Sequence, residues 1–357
     1  MVQKRRTSRR SSLIYLIIAV IITSTLITFW RFTKCPDIQY YDTLSSLSYL
    51  ILPPENSTSP YRPKVLQEND FTKLIDLDHF TFLMNHSCNG SGPLLLVLVH
   101  SHPAHDKLRK TIRQTWGSII SSQFKLLFLV GIPKNKKEQA LLTNENEENR
   151  DLVQGNFIDA YRNLTYKHVM AFKWALYFCP NAKYVLKCDD DVFVNTPGLI
   201  NYIYERLSPF GARKLILCQI LTKSIVYRTS RSKWKVAYSD YERSVYPPYC
   251  AGFFIIYSPD VVFDLYEKAQ SSRYFWIDDV HITGFMARKA KINIFSIEEV
   301  ILGRSDLANV IKNNYNFNSF VVGPPNLYAE EINSVWKAVT NSKNLTTMSA
   351  INKTPKR

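Results

Sequence analysis

"KYVLKCDDDVFVN", residues 183–195, sets three carboxylates side by side between two apolar runs. Adjacent like charges repel, so Asp189, Asp190 and Asp191 need a setting that offsets the cost. The run before them reads as a short buried strand, which puts the acids at its carboxyl end. Asp189 and Asp191 can converge on one hard cation. Mg²⁺ and Mn²⁺ prefer oxygen ligands, and one or two carboxylates plus substrate phosphates are a usual set. The alternative is a solvated acidic turn, but the apolar flanks favour a packed place.

Working outward, "GPLLLVLVHS" (92–101) and "FKLLFLVGI" (124–132) are short apolar runs of the kind that form buried strands. "KLRKTIRQTWG" (107–117) reads as a helix with Leu108, Ile112 and Trp116 on one stripe, and "NLTYKHVMAFKWALYFC" (163–179) as an amphipathic helix. Strands and helices therefore alternate. That order predicts an α/β fold, a mostly parallel central sheet flanked by helices. In such folds ligands bind outside the carboxyl ends of the strands, where the three aspartates fall.

Two further stretches carry chemistry. "YPPYCAGFFIIYS" (246–258) clusters Tyr and Pro before Ala251-Gly252 and an apolar strand. Gly252 allows close backbone approach to a ligand, or simply a structural turn. "YFWIDDVHITG" (274–284) places Asp278 and Asp279 behind apolar and aromatic residues. Carboxylates so placed can have altered proton affinity and act as a general base. The competing reading is a helix N-terminus with acids facing its dipole.

The N-terminus bears on location. "MVQKRRTSRR" precedes "LIYLIIAVIITSTLITFW" (13–30), which has no charge and ends in Trp30. A run of this length spans a bilayer core, and it is longer than a signal-peptide core, the other possibility. The basic flank favours a cytoplasmic N-terminus. The expected organisation is a tail at 1–12, a signal anchor at 13–30 and a Pro- and Ser-containing stem at 31–91. A lumenal domain at 92–335 and a C-terminal tail at 336–357 follow. Of the formal charge of +15, seven basic residues lie in the acid-free first 34 positions and the rest of the chain carries +8. A basic chain invites a nucleic-acid reading; the membrane segment argues against it, and an anionic nucleotide suits the charge better. Sequons at Asn56, Asn85, Asn89, Asn163 and Asn344, and six cysteines, fit a secretory compartment. The six cysteines allow fifteen full pairings, none of which the sequence selects.

These blocks, in this order from about residue 93 to 295, resemble the β1,3-galactosyltransferase / β1,3-N-acetylglucosaminyltransferase family of Golgi enzymes. The blocks are "RKTIRQTWG", "FLVG", the stretch from Asn156 to Asn195, "YPPYCAGFFIIYS" and "DDVHITG". The resemblance implies a glycosyltransferase A-type fold in a single-pass type II Golgi membrane protein. It implies Mn²⁺ or a similar cation held mainly by Asp191 with Asp189 near the ribose. Donor contacts would come from Arg109, Arg113, Asp189, Asp190 and Gly252. Asp279 would be the inverting base, with Asp278 its neighbour and rival. The implied partners are a UDP-sugar donor (galactose or N-acetylglucosamine) and a glycan acceptor on glycoprotein or glycolipid. The oligomeric state is open, a homodimer included. The family's usual Glu is Asp278 here, its usual Thr is Cys188, its Ser-Gly is Ala251-Gly252, and no histidine follows His281 in this block. These departures bear on donor and acceptor choice more than on reaction type.

The implied reaction is one inverting displacement: Asp279 takes the acceptor proton, and the hydroxyl oxygen attacks the anomeric carbon to leave a β1,3 linkage. A lumenal carbohydrate-binding protein that kept the fold without turnover is the main rival. Intact acids at 189, 191 and 279 count against it. A metal-dependent phosphatase or nuclease would want further ligating carboxylates and histidines.

Overall fold

A computed structural model of the chain describes Thr23 and residues 40–41, 50–51, 69–88, 92–119, 123–312 and 316–341. The chain divides into two units, Met1–Gln39 and Tyr40–Arg357. Apart from Thr23, the expected tail and anchor at 1–30 lie outside the described residues, as does the C-terminal stretch from 342. Among the described residues no helix is long and apolar enough to cross a membrane.

In chain order the strands are β1 (Tyr40–Tyr41), β2 (Lys73–Leu74), β3 (Leu77–Asp78), β4 (Phe82–Met84), β5 (Leu95–His100), β6 (Phe124–Ile132), β7 (Leu152–Ile158), β8 (Tyr184–Asp189), β9 (Ile216–Leu221), β10 (Tyr249–Tyr257) and β11 (Ile294–Ser296). The helices used below are α1 (Asp106–Gln114), α2 (Lys136–Asn149), α3 (Leu164–Phe178), α4 (Thr196–Arg206), α5 (Pro259–Gln270) and α6 (Ala329–Asn341). Among the described residues one nine-stranded sheet has the order β1-β11-β9-β10-β8-β5-β6-β7-β4.

The sheet is mixed rather than uniformly parallel. β8, β5, β6 and β7 run parallel, whereas β10 is antiparallel to both β8 and β9, and β4 to β7. Every residue of β5 is buried, as are the first five of β8. That explains their apolar runs, broken only by Lys187 in β8, the mark of strands covered on both faces. The chain steps from β5 to β6 to β7 in one direction, then returns to lay β8 on the other side of β5. Such a reversal splays the connections apart and leaves a crevice at the carboxyl ends. His100 and Asp189 pair in register there.

The sequence pattern missed α2 and β7, which intervene between the second expected strand and the second expected helix. "KKEQALLTNENEEN" buries only Leu142, so it has no apolar stripe to read, and its start is fixed by the Asn135 side chain accepting from Glu138 N–H. Residues 69–88 also differ from the expected stem: they fold onto the domain. Leu74, Ile75 and Phe80 are buried, and β4 extends the sheet. Asp70 accepts hydrogen bonds from the Tyr177 and Tyr266 hydroxyls. At the other end α6 runs past the expected boundary at 335. Disulfides join Cys88 to Cys179 and Cys218 to Cys250, while Cys188 is buried and reduced.

Candidate active site

A cavity of about 660 Å³ opens at the switch between β5 and β8. Asp189 ends β8, and the chain turns at Asp190 and Asp191. Asp189 and Asp191 line the cavity, while Asp190 turns back and is buried. Its carboxylate accepts from Ser101 Oγ at 2.7 Å and pairs with His105 Nδ1 at 2.8 Å. The segment before α6 braces the other side: Leu327 N–H donates to the Asp191 carbonyl at 2.8 Å. Asn326, with φ +61°, lines the cavity beside it. Burial and the charges of Asp189 and Asp190 push the Asp191 pKa up to about 6.

Lys187 supplies the counter-charge. The two-residue strand period puts it on the face of Asp189, and its buried Nζ donates to Asp189 Oδ1 at 2.7 Å and to the Gly252 carbonyl. Burial opposes its charge, but Asp189, Asp278 and Asp279 outweigh that and raise its pKa.

The second acid pair enters from the start of a π-helix, Val280–Met286. Asp279 stands at its N-terminus and accepts from Val280 N–H at 3.1 Å. The helix-start reading therefore holds as geometry, yet the same side chain lines the cavity. Thr283 locks the junction by donating to the Asp279 carbonyl at 2.6 Å and accepting from Cys250 N–H at 2.9 Å. Gly252 lies opposite, and a Cβ there would come within 3.3 Å of Asp279 Oδ2. The glycine thus makes room for the carboxylate; it forms no tight turn.

The two adjacent acids have opposite characters. Asp278 is buried and bonded to His168 Nδ1 at 2.9 Å; His168 Nε2 lies 3.2 Å from the Tyr257 hydroxyl. Burial holds His168 neutral. Donation from Nδ1 to Asp278 and acceptance at Nε2 from Tyr257 satisfies all three groups. Burial disfavours the Asp278 charge, but the His168 bond and Lys187 outweigh it and lower the pKa to about 2. Asp279 is only partly buried. Desolvation, then the Asp278 charge, raises its pKa to about 7.

Arg109 and Arg113, expected at the nucleotide end, have their guanidinium groups engaged elsewhere, and neither lines the cavity. Arg109 is fully buried. It donates to both oxygens of Glu145 (2.8 and 2.6 Å), to Ser101 Oγ (3.0 Å) and to the His102 and Pro103 carbonyls. Arg113 pairs with Asp151 at 2.7 and 2.8 Å and with Glu145 at 2.7 Å. Arg109 therefore braces the Ser101–Asp190 contact from behind.

A model of the galactosyltransferase family matches residues 107–298, more than half the chain. The chain belongs to that family. It is 36% identical over 230 residues to the human UDP-GalNAc:beta-1,3-N-acetylgalactosaminyltransferase 1, covering 63% of this chain and 68% of that one. It is 35% identical over 226 residues to the mouse lactosylceramide 1,3-N-acetyl-beta-D-glucosaminyltransferase, covering 60% of each. Aligned to the solved bifunctional glycosyltransferase WbbM, it has a TM-score of 0.35 at 10% identity, covering 73% of this chain and 51% of that one.

For a galactosyltransferase-family site, sequence reasoning overlooked Lys187, His168 and His100. Lys187 was legible as the one charge inside a buried run, two residues from Asp189. His100 lines the cavity with Nε2 buried and without a partner among the described residues. His168 is separated from Asp278 by 110 positions, which no local pattern reveals. His281 is buried with both ring nitrogens unpartnered among the described residues and does not line the cavity. The same residues contain no group of three His, Cys, Asp or Glu side chains able to hold a metal. A cation here would rest on Asp189 and Asp191 and need ligand oxygens to complete its shell. Burial first, and then the neighbouring carboxylates, raise the pKa of both acids, and a bound cation would offset both effects.

Proposed function

We propose that the protein transfers a hexosyl or N-acetylhexosaminyl residue from a UDP-sugar to a glycan hydroxyl, with inversion, forming a β1,3 linkage. The observation that carries this reading is one cavity shared by the β8 acids and Asp279, whose raised pKa suits a general base near neutrality. The relatives' names add N-acetylgalactosamine to the donors to be tried.

Asp189 and Asp191 would hold a divalent cation such as Mn²⁺, which supplies charge neutralisation to the departing diphosphate. Lys187 orients Asp189 and opposes the rise in its pKa that burial causes. Asp279 accepts the acceptor hydroxyl proton while that oxygen attacks the anomeric carbon. Asp278, fixed by His168, stays ionised and keeps its neighbour basic. Arg109 and Arg113 act as positioning residues behind Asp190. The non-catalytic binding reading gains nothing from this site: a structural carboxylate has no need of an unbonded oxygen facing a cavity.

The test is a comparison of two variants in the full-length protein. Asp279→Asn should retain Mn²⁺-dependent UDP binding by calorimetry while transfer falls at least about 10²-fold. Asp191→Asn should weaken UDP binding itself. Normal transfer by Asp279→Asn refutes the base assignment, and full activity in excess EDTA refutes the cation. We also propose a type II Golgi placement with a lumenal domain, resting on the 13–30 run and its basic flank. Digestion of the domain in intact microsomes without detergent would rule it out.

A further inference from the structure

Residues 222–248, between β9 and β10, contain no helix or strand beyond an isolated Ile225–Val245 bridge. A connection of that length is uncommon in a compact domain unless it has work to do. This one is built to hold a shape. The Cys218–Cys250 disulfide closes its base. Arg228 staples it internally, donating to the Val236, Tyr241 and Arg243 carbonyls at 3.0, 2.7 and 2.7 Å. Val226, Val236 and Tyr246 share a small core with Phe275, Trp276 and Val280, the segment that carries Asp279.

Beside Lys223, Ser224 and Ile225, this loop turns three aromatic side chains toward the cavity. Tyr227, Trp234 and Tyr246 line it with Tyr161 and Trp276. They are linked: Trp234 Nε1–H donates to Tyr161 Oη at 2.7 Å. The Tyr161 and Trp276 rings lie 5.9 Å apart, and the Tyr227 and Trp234 rings 6.1 Å. Tyr161, Tyr227 and Trp234 stay 43–46% exposed, a cost in apolar surface that packing would otherwise remove. Two polar atoms in the wall are also unspent. Trp276 Nε1 and the Tyr246 hydroxyl are buried and have no hydrogen-bond partner among the described residues. Buried groups of this kind almost always have a partner, so two together in one cavity wall ask for one.

We infer that this wall is the acceptor subsite, and that its ligand is a pyranose of an oligosaccharide, its C–H face on Tyr161, Trp234 and Tyr227 and its hydroxyls meeting Trp276 Nε1–H and the Tyr246 hydroxyl. A sugar has both surfaces, an apolar ring face and a polar edge, and the wall offers both complements. A peptide hydroxyl acceptor would use neither together. Trp276 lies three residues before Asp279, so a sugar held here presents a hydroxyl to the base. The inference rests on the transferase reading above, and the measurements separate the two.

Tyr246→Phe removes one oxygen and keeps the ring; Trp234→Ala removes an exposed ring face. Both are made in the full-length protein and assayed with methyl β-lactoside and methyl β-galactoside as acceptors. Each should raise the acceptor KM about tenfold, the equivalent of about 1.4 kcal/mol, with calorimetric UDP affinity unchanged. Trp234→Phe should recover most of the loss. Tyr246→Phe should leave the melting temperature unchanged or raised, because the buried hydroxyl it deletes bonds to nothing in the free protein. A merely structural tyrosine would move stability and leave KM alone. Acceptor KM unchanged in both variants overturns the subsite, as does a matching loss of UDP affinity, which would place the wall on the donor side. If Trp234→Ala does not fold, Tyr246→Phe alone decides. UDP binding that is lost in the unmodified protein would instead strike at the transferase reading.

Discussion

The pH dependence of transfer tests the charge arrangement most directly. Asp279 carries a pKa of about 7 against an ordinary 3.8, raised first by burial and then by Asp278, with Lys187 pulling it down. A general base works unprotonated, so acceptor kcat/KM should rise with pH and show an acid limb at or below about 7 but well above the ordinary carboxylate range, falling roughly tenfold per unit beneath it. Two substitutions should move that limb in opposite directions. Asp278→Asn removes the neighbouring negative charge and should lower it by about one unit or more. Burial, the larger cause, remains, so the limb should not reach the ordinary carboxylate range. Lys187→Met removes the opposing cation and should raise it. Stability carries the same signature with its own sign. A carboxyl whose folded pKa exceeds its unfolded value stabilises when protonated, and that contribution is lost as pH rises from about 4 through 7. The gap of about three units corresponds to at most about 4 kcal/mol. Asp279→Asn should therefore melt at the same temperature or higher than the unmodified protein at pH 8, with the difference vanishing near pH 4. Profiles of kcat/KM and melting curves from pH 3.5 to 9 measure both. An acid limb near pH 4 refutes the raised pKa. Limbs that shift in the same direction in Asp278→Asn and Lys187→Met refute the electrostatic account.

Arg109→Leu strands Glu145 with only Arg113 beside it; losing one partner of a buried pair costs about 3–5 kcal/mol. The melting temperature should fall sharply while UDP affinity of the folded protein, measured cold, stays within about twofold; a large loss of affinity would return Arg109 to the donor site. Removing the Cys218–Cys250 bridge as a double Ser variant opens a loop with a sequence separation of 32. Chain entropy puts the cost at about 3–4 kcal/mol, and acceptor KM should rise more than donor KM, because the loop carries the aromatic wall.

Much of the fold was legible because its central strands are buried on both faces. β5, β6 and β8 appear as apolar runs, broken only by Lys125 and Lys187, within a residue or two of their observed ends, and α1 shows its stripe; α3, expected to be amphipathic, is instead buried without a break from Lys167 to Ala175. What escaped is what had no periodic signal. α2 is polar nearly all round and buries one leucine. Residues 69–88 look like linker by composition, yet Leu74, Ile75 and Phe80 suffice to dock them because Asp70 finds Lys173, Tyr177 and Tyr266 waiting on α3 and α5. Those partners lie 103 to 196 positions away, beyond the reach of a local pattern.

The site shows the same division, and it explains why neighbouring identical residues part company. Asp189, Asp190 and Asp191 are alike in sequence, and the turn that follows β8 separates them: Asp189 and Asp191 face the cavity, Asp190 faces Ser101 and His105. Asp278 and Asp279 are alike too, but what separates them is tertiary. His168 and Tyr257 reach Asp278, while Gly252 leaves a gap for Asp279. Sequence could therefore place a carboxylate pair in an apolar setting and could not say which would stay charged. Lys187 completes the logic. One buried ammonium touches Asp189 and the Gly252 carbonyl and lowers the pKa of Asp278, Asp279 and Asp191 alike. The acids at the end of β8 and the Asp278–Asp279 pair are thus coupled through a single charge. A second cation on Asp189 and Asp191 would draw Asp279 down further, so the acid limb of kcat/KM should lie lower at saturating Mn²⁺ and donor than the titration of Asp279 in the free protein.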